Sequence, residues 1–189
     1  MPILTREVLE AMGFASLGRN VQISDKASIY GARQISIGDN VRIDDFCILS
    51  AGVGGIVIGQ HIHIAAYSSL IGAGQIVLND FCNISSRVSI YSSNDDYSGE
   101  KMTNPTVPAE FTGVCNAPVF LKEHVIIGCG SVILPGVTLD TGVAVGAQSL
   151  IKSNCAAFGI YAGRPAVRIK ERSRNFLIVS KSFMISKSR

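Results

Sequence analysis

Residues 121–151 read LKEHVIIGCGSVILPGVTLDTGVAVGAQSLI, with an aliphatic side chain at every sixth position: Leu121, Ile127, Ile133, Leu139, Val145 and Ile151. The same spacing runs upstream through Ile37, Ile43 and Leu49, then Ile58, Ile64 and Leu70, then Leu78, Ile84 and Ile90. Ile23 and Ile29 open an incomplete earlier turn. Four residues after these positions the side chain is again small or apolar, at Val41, Cys47, Ile62, Ser68, Cys82, Val88, Val125, Ser131, Val137, Val143, Ser149 and Cys155. A helix with 3.6 residues per turn cannot hold such a repeat on one stripe. Inward positions two residues apart are instead the alternation of a short strand. Three such strands with their corners make a triangular coil of roughly 18 residues, and stacked coils bury one aliphatic ladder. The expected fold is an all-β parallel β-helix. The longer steps from Leu49 to Ile58 and from Leu70 to Leu78 carry the glycine-rich AGVGG and GAGQ, read as corner insertions.

The 189-residue chain is 47% hydrophobic and 16% charged, with 19 glycines. That balance suits one tightly packed domain and excludes disorder. Mean hydropathy is high at +0.34, yet Gly, Ser, Asp or Asn interrupt every apolar stretch before it reaches the length of a membrane span. The N-terminal MPILTREVLEAMG carries Glu7 and Glu10 and lacks a long apolar run, so no secretory signal is expected and the cytoplasm is the expected compartment. A net charge of +3 argues against nucleic acid as the main partner. Five cysteines without a CxxC pair argue against a disulfide framework and a zinc site, and reduced, mostly buried thiols are expected.

Three segments leave the repeat. TREVLEAMG (5–13) reads as a short helix with Thr5 as N-cap and Gly13 as its stop. YSSNDDYSGEKMTNPTVPAEFTGVCNAP (91–118) is a long polar loop, of a length that in a compact repeat protein usually serves function. The basic and then apolar end divides the chain into a β-helix unit, 1–174, and a tail, 175–189; its FLIVSKSFMIS (176–186) is expected to cap the open end of the helix or to add a subunit contact.

The stretch 125–172, with its LPGVT and AGRPA pieces, closely resembles the C-terminal signature of hexapeptide-repeat acetyltransferases, and the match extends over about 20–174. The loop motif DDYSG…MTNPTVP (95–108) is similar to bacterial acyltransferases associated with O-antigen and capsule genes. These include galactoside O-acetyltransferase-like enzymes and acetyltransferases for nucleotide-linked 4-amino-4,6-dideoxy sugars. The resemblance implies a left-handed β-helix, a homotrimer with sites between subunits, and acetyl-CoA as donor, its pantetheine arm on the outer face of the last coils. No metal is expected, because the outward His61 and His63 lack a nearby cysteine or acidic ligand at matching spacing.

Acyl transfer to a hydroxyl needs a positioned base, whereas an amine attacks from its neutral fraction. The resemblance implies a histidine base in the long loop, but this segment reads IYSSNDDY, without one. Asp95 or Asp96 is then the candidate proton acceptor, or the enzyme orients an amine against the thioester and leaves the proton to water or the cofactor, or Asp95, Asp96 and Ser98 simply cap loop turns. His61 and His63 flank inward Ile62 and His124 sits at a corner, all three read as solvated corner residues, with His63 kept as a reserve catalyst. For the donor, the candidates are the backbone at Gly128, Gly130, Gly146 and Ala147, and the turn Gly163–Arg164–Pro165 that the resemblance sets beside the pantetheine. Lys152 stands one position away from the lysine of the family pattern, and Arg168 and Lys170 are candidate phosphate partners or a solvated basic tail. Asn83, Ser85, Ser86, Arg87, Tyr91, Asn94 and Tyr97 are candidate sugar contacts. N-acetylation of a nucleotide-linked amino-sugar for surface polysaccharide is the leading expectation. O-acetylation of a sugar hydroxyl and a non-catalytic trimeric scaffold are the alternatives.

Overall fold

The structure, a computed structural model, describes residues 2–187; Ser188 and Arg189, the end of the expected tail, lie outside the described residues. The chain winds into a parallel β-helix with three flat faces. The first face stacks six strands, from Ser16–Leu17 through Ile35–Ile37, Ile56–Ile58, Ile76–Leu78 and Val119–Leu121 to Thr138–Leu139. The second runs from Gln22–Ile23 through Arg42–Ile43, His63–Ile64, Asn83–Ile84, Ile126–Ile127 and Ala144–Val145 to a terminal antiparallel hairpin, Gly159–Gly163 with Ala166–Glu171. The third stacks Ser28–Tyr30, Ile48–Ala51, Ser69–Gly72, Ser89–Tyr91, Val132–Ile133 and Leu150–Ile151.

Both inward ladders read from the sequence are buried throughout, except Ile29, half-exposed at the open N-terminal end. Equivalent residues lie directly above one another: Ile43 pairs with Ile64, Ile64 with Ile84, Ile84 with Ile127 and Ile127 with Val145. Each aliphatic side chain removed from water contributes about 1.5–3 kcal/mol, so the ladder is the main source of cohesion. The first face also buries Ile35, Ile56, Ile76 and Val119. Those positions fall outside the six-residue count because the insertions at the preceding corner lengthen that strand to three residues.

The 91–118 insertion leaves the stack intact, since Ile76 still pairs with Val119 and Ser89 with Val132 across it. It is not irregular throughout. Ser93–Asn94 and Cys115–Asn116 form an antiparallel stem at its base, and Ala109–Phe111 makes one 3-10 turn. Helix α1, Arg6–Ala11, is capped by Thr5, whose Oγ1 accepts from the Val8 N–H, and Gly13 follows it at φ 71°. Buried Leu9 packs α1 on the core.

The tail does not take the capping role expected of it. Helix α2, Asn175–Lys187, does not close the end of the stack; Tyr161, nearly buried there, donates that service, and its hydroxyl accepts from the Ala156 N–H at 2.8 Å. α2 lies instead along the corner between the first and second faces. Arg172 fixes its approach by donating to the carbonyls of His124 (2.9 Å) and Gly142 (3.0 Å). His61 and His124 are consequently not solvated corner residues. They stack on Phe81, with ring centroids 5.2 and 4.8 Å apart, beneath Phe176 and Phe183 of α2. Burial lowers both histidines' pKa, reinforced by Lys187 at His61 and by Arg172 at His124.

Of the five thiols, Cys47, Cys82 and Cys155 are core residues, and Cys115 and Cys129 are exposed, against the expectation of mostly buried cysteines only at those two. Burial pushes Cys47 and Cys155 up to about 11 and Cys82 up to about 12. A thiolate-specific reagent near pH 8 should therefore modify Cys115 and Cys129 in the native protein and all five only after denaturation. Rapid native reaction of five thiols would contradict the inward ladder.

Candidate active site

The corner between the second and third faces gathers candidates that the sequence leaves scattered. In successive coils it reads Ser24–Ala27, Asp44–Cys47, Ala65–Ser68, Ser85–Val88, Gly128–Ser131 and Gly146–Ser149, and the Gly163–Arg164–Pro165 turn continues it. Ser85, Ser86, Arg87, Gly128, Gly130, Gly146, Ala147 and the AGRPA turn therefore share one edge of the molecule.

Packing of coil on coil explains the small residues. A Cβ on Gly128 would lie 2.5 Å from the Ala147 backbone nitrogen, so stacking alone requires glycine there. At Gly130 the demand is different: a Cβ would have room, but the backbone sits at φ +70°, where arginine, tyrosine and phenylalanine sit at the equivalent places in earlier coils. The buried serines of this corner bind rung to rung. Ser131 Oγ donates to the Gly146 carbonyl at 3.1 Å, and Ser149 Oγ donates to the same carbonyl at 2.7 Å. Gly163 donates its N–H to Ser149 Oγ at 3.2 Å. The outcome is a smooth backbone surface along the last three rungs, the kind of strip an extended polar chain can lie against.

Arg164 is anchored on this strip, its Nε donating to the Gln148 carbonyl at 2.7 Å while the rest of the guanidinium stays exposed. Arg168 instead pairs with Glu171. Lys170 is exposed on the terminal hairpin. Lys152 follows Ile151 at the far end of the third face, so the structure does not bring it to this corner.

A second cluster lies on the third face, beneath the inserted loop. Tyr91, Ser93, Asn94, Asp95, Tyr97, Val132 and Leu134 line a cavity of about 310 Å³. Val132 follows Gly130 and Ser131 in the chain, so this cavity adjoins the strip. Asp95 is its one acidic lining residue and is exposed toward it. Asp96 is occupied differently: its carboxylate accepts from the Ser98 N–H at 2.8 Å and the Lys101 N–H at 2.9 Å. The Ser98 hydrogen bonds are the main cause holding its pKa below the ordinary value. The two adjacent aspartates thus divide, Asp96 shaping the loop and Asp95 facing the cavity.

The remaining candidates sit apart. His63 and Asn83 pair in register on the outer surface of the second face. His63 Nε2 lies 2.8 Å from Asp44 Oδ2, and Asp44 also accepts from Arg42 Nε at 2.7 Å. Ser85 and Arg87 belong to the corner rather than to the cavity lining. Exposed Cys129, between Gly128 and Gly130 in the strip, was not singled out from sequence; its place in the repeat, between a stacking glycine and a left-handed one, is the signal that marks it. Another cavity, about 610 Å³, lies under α2 between Phe81, His124, Phe176 and Phe183 and holds no carboxylate. Among the described residues no group of three or more metal-ligating side chains is gathered, and no helix is long and apolar enough to cross a membrane.

No protein-family model matches the chain. It is 56% identical over 183 residues to a dTDP-4-amino-4,6-dideoxy-D-glucose acyltransferase of Escherichia coli, covering 97% of this chain and 95% of that one. The N-acyltransferase AntD of Bacillus cereus, solved with dTDP and 3-hydroxybutyryl-CoA, superposes with a TM-score of 0.95 at 46% identity, over 100% of both chains. A serine variant of AntD solved with dTDP-4-amino-4,6-dideoxyglucose and coenzyme A superposes at 0.93 and 46% identity, over 98% of each chain. These matches and the stacked hexapeptide coils agree: the chain is an acyltransferase with a left-handed β-helix fold and belongs to the family of the dTDP-4-amino-4,6-dideoxy-D-glucose acyltransferases.

Proposed function

We propose that this enzyme acetylates the amine of a dTDP-linked 4-amino-4,6-dideoxyglucose from acetyl-CoA, as a cytoplasmic homotrimer whose sites lie between neighbouring subunits. The observation that carries the reading is the loop cavity: it adjoins the glycine strip and offers one carboxylate and two tyrosines but no histidine. A hydroxyl acceptor requires a base strong enough to assist its deprotonation, and an amine does not. Asp95 suits the ammonium form of such an acceptor, drawing it in by charge and then accepting a hydrogen bond from the neutral amine so that its lone pair is aimed at the acyl carbon. Tyr91, Asn94 and Tyr97 supply hydroxyl and amide partners for the sugar. The ammonium gives its first proton to solvent before attack; the nitrogen–carbon bond then forms as the carbon–sulfur bond breaks, and the proton lost from nitrogen passes to the departing thiolate, so that coenzyme A leaves as the thiol. The donor lies along the strip from Gly128 to Pro165, with exposed Arg164 beside its phosphates and Lys170 as a further cation.

His63, oriented by Asp44, favours one second reading. In an assembly that brings a neighbour's cavity to the second face, this pair would serve as base for a sugar hydroxyl.

A thiol-release assay with acetyl-CoA and paired dTDP-sugars, one bearing an amine and one a hydroxyl at the same carbon, separates the two. Release with the amine alone is expected, with His63→Asn near wild type. Release confined to the hydroxyl sugar would reject the proposal. Asp95→Asn should lower kcat about tenfold, less than the roughly 10²–10⁴-fold of an obligatory general base. Asp96→Asn should mainly raise KM for the sugar by loosening the loop. Coenzyme A should also protect Cys129, but not Cys115, from alkylation; equal protection or none would remove the donor from this strip.

A further inference from the structure

The loop that carries Asp95 rises from a prepared corner. Between the third and first faces the earlier coils carry residues 31–34, then 52–55, then 73–75, and the next coil leaves here for residues 92–118. These segments nest on one another. Gly52 donates its N–H to the Gly72 carbonyl at 3.0 Å, and Gly54 donates to the Ala73 carbonyl at 2.9 Å. The tier at 73–75 then receives the base of the loop. Ala73 donates its N–H to Ser93 Oγ at 2.7 Å, and buried Ser92 donates its hydroxyl to the Gly74 carbonyl at 2.7 Å. No side chain fits between them: a Cβ on Gly74 would lie 2.7 Å from the Ser92 carbonyl oxygen and 2.8 Å from that of Ala117.

Ser93 ties this tier to both strands of the stem. Its hydroxyl accepts from Ala73 and spends its one proton on Asn116 Oδ1, 2.6 Å away on the opposite strand. Ser93–Asn94 pairs antiparallel with Cys115–Asn116, and Asp95 is the first residue beyond that pairing. Ser93 and Asp95, two apart on an extended segment, line the same cavity. On the other side of Asp95 the Asp96 carboxylate holds the Ser98 and Lys101 amides. Among the described residues the Asp95 carboxylate itself meets no hydrogen-bond or ion-pair partner, so the backbone on either side aims it.

We infer that Ser93 is a positioning residue for acyl transfer, holding Asp95 toward the amine by fastening the loop stem to the corner segment at Ala73. The inference rests on the proposed role of Asp95. A hydroxyl suits the task because one atom must accept from an N–H and donate to a carbonyl oxygen together. Misplacing a reacting or catalytic group by about 1 Å can cost on the order of 10²-fold. Here the loss is bounded by what Asp95 itself contributes.

A pair of variants matched in shape tests this with acetyl-CoA and the dTDP-amino-sugar. Ser93→Val removes the hydroxyl and Ser93→Thr keeps it. Ser93→Val should lower kcat about three- to tenfold with KM for acetyl-CoA within about twofold, and Ser93→Thr should recover most of that loss. Added to Asp95→Asn, Ser93→Val should cost less than about twofold more, because residues acting through one contact are not additive. Equal kcat in the threonine and valine variants overturns the inference. So does a full multiplicative loss in the double variant, which would leave Ser93 a support of the stem alone. Ser93→Ala stands in for the valine variant if that protein fails to fold, with the same outcomes. Wild-type kcat in Asp95→Asn by itself would instead reject the role of Asp95, and the positioning role with it.

Discussion

Adjacent coils of this molecule must stand one β-sheet spacing apart, close enough for every strand to exchange backbone hydrogen bonds with the rung above and below. That constraint governs nearly everything else. It forces like residues into vertical columns, so the aliphatic positions fuse into one ladder from Ile23 to Ile151. It leaves no room for side chains where corners nest, hence Gly128 against Ala147. It also accounts for the buried serines, whose hydroxyls bind the carbonyls that the corners turn away from the sheets.

Columns are also how the fold distributes chemistry. A residue type at a left-handed corner position is repeated above and below, so a corner becomes a continuous strip of one character. One corner is aromatic and covered by α2, whose entry Arg172 fixes through the His124 and Gly142 carbonyls. The corner on the other side of the second face is bare: smooth backbone over its last rungs, stacked rings and cations over its first. The insertion leaves the chain at the end of a third-face strand without breaking the stack, and its stem makes the cavity with Tyr91, Asp95 and Tyr97. The reaction then needs little from side-chain chemistry. An amine acceptor carries its own nucleophilicity, and on the proposed reading alignment with the thioester supplies the rest.

Legibility differed by level. The inward ladders were readable because burial acts on each hexad separately, and a local pattern survives in the sequence. The three-residue strands of the first face were not, since Ile35, Ile56 and Ile76 enter the core only when the corner before them is lengthened. Within the site, Asp95 and Asp96 were equivalent as letters. Only the fold of the loop, which spends the Asp96 carboxylate on the Ser98 and Lys101 amides, tells them apart. Lys152 is a donor candidate by its nearness to a motif, and only the fold shows that it lies past the end of a strand and on a different edge from the glycine strip.

By itself, then, the sequence determined the period, the β-helix and the place of the insertion, because each is written in residues close together along the chain, and the class of enzyme entered through its resemblance to known acetyltransferases. The tertiary structure decided which of the distant candidates share an edge. Ser85, Gly128, Gly146 and Arg164 are remote in sequence and neighbours in one column, and His61 and His124 are withdrawn from solvent by a helix that follows them. Such proximity depends on the length of every intervening coil and on where α2 comes to rest, and no local pattern of residues encodes either.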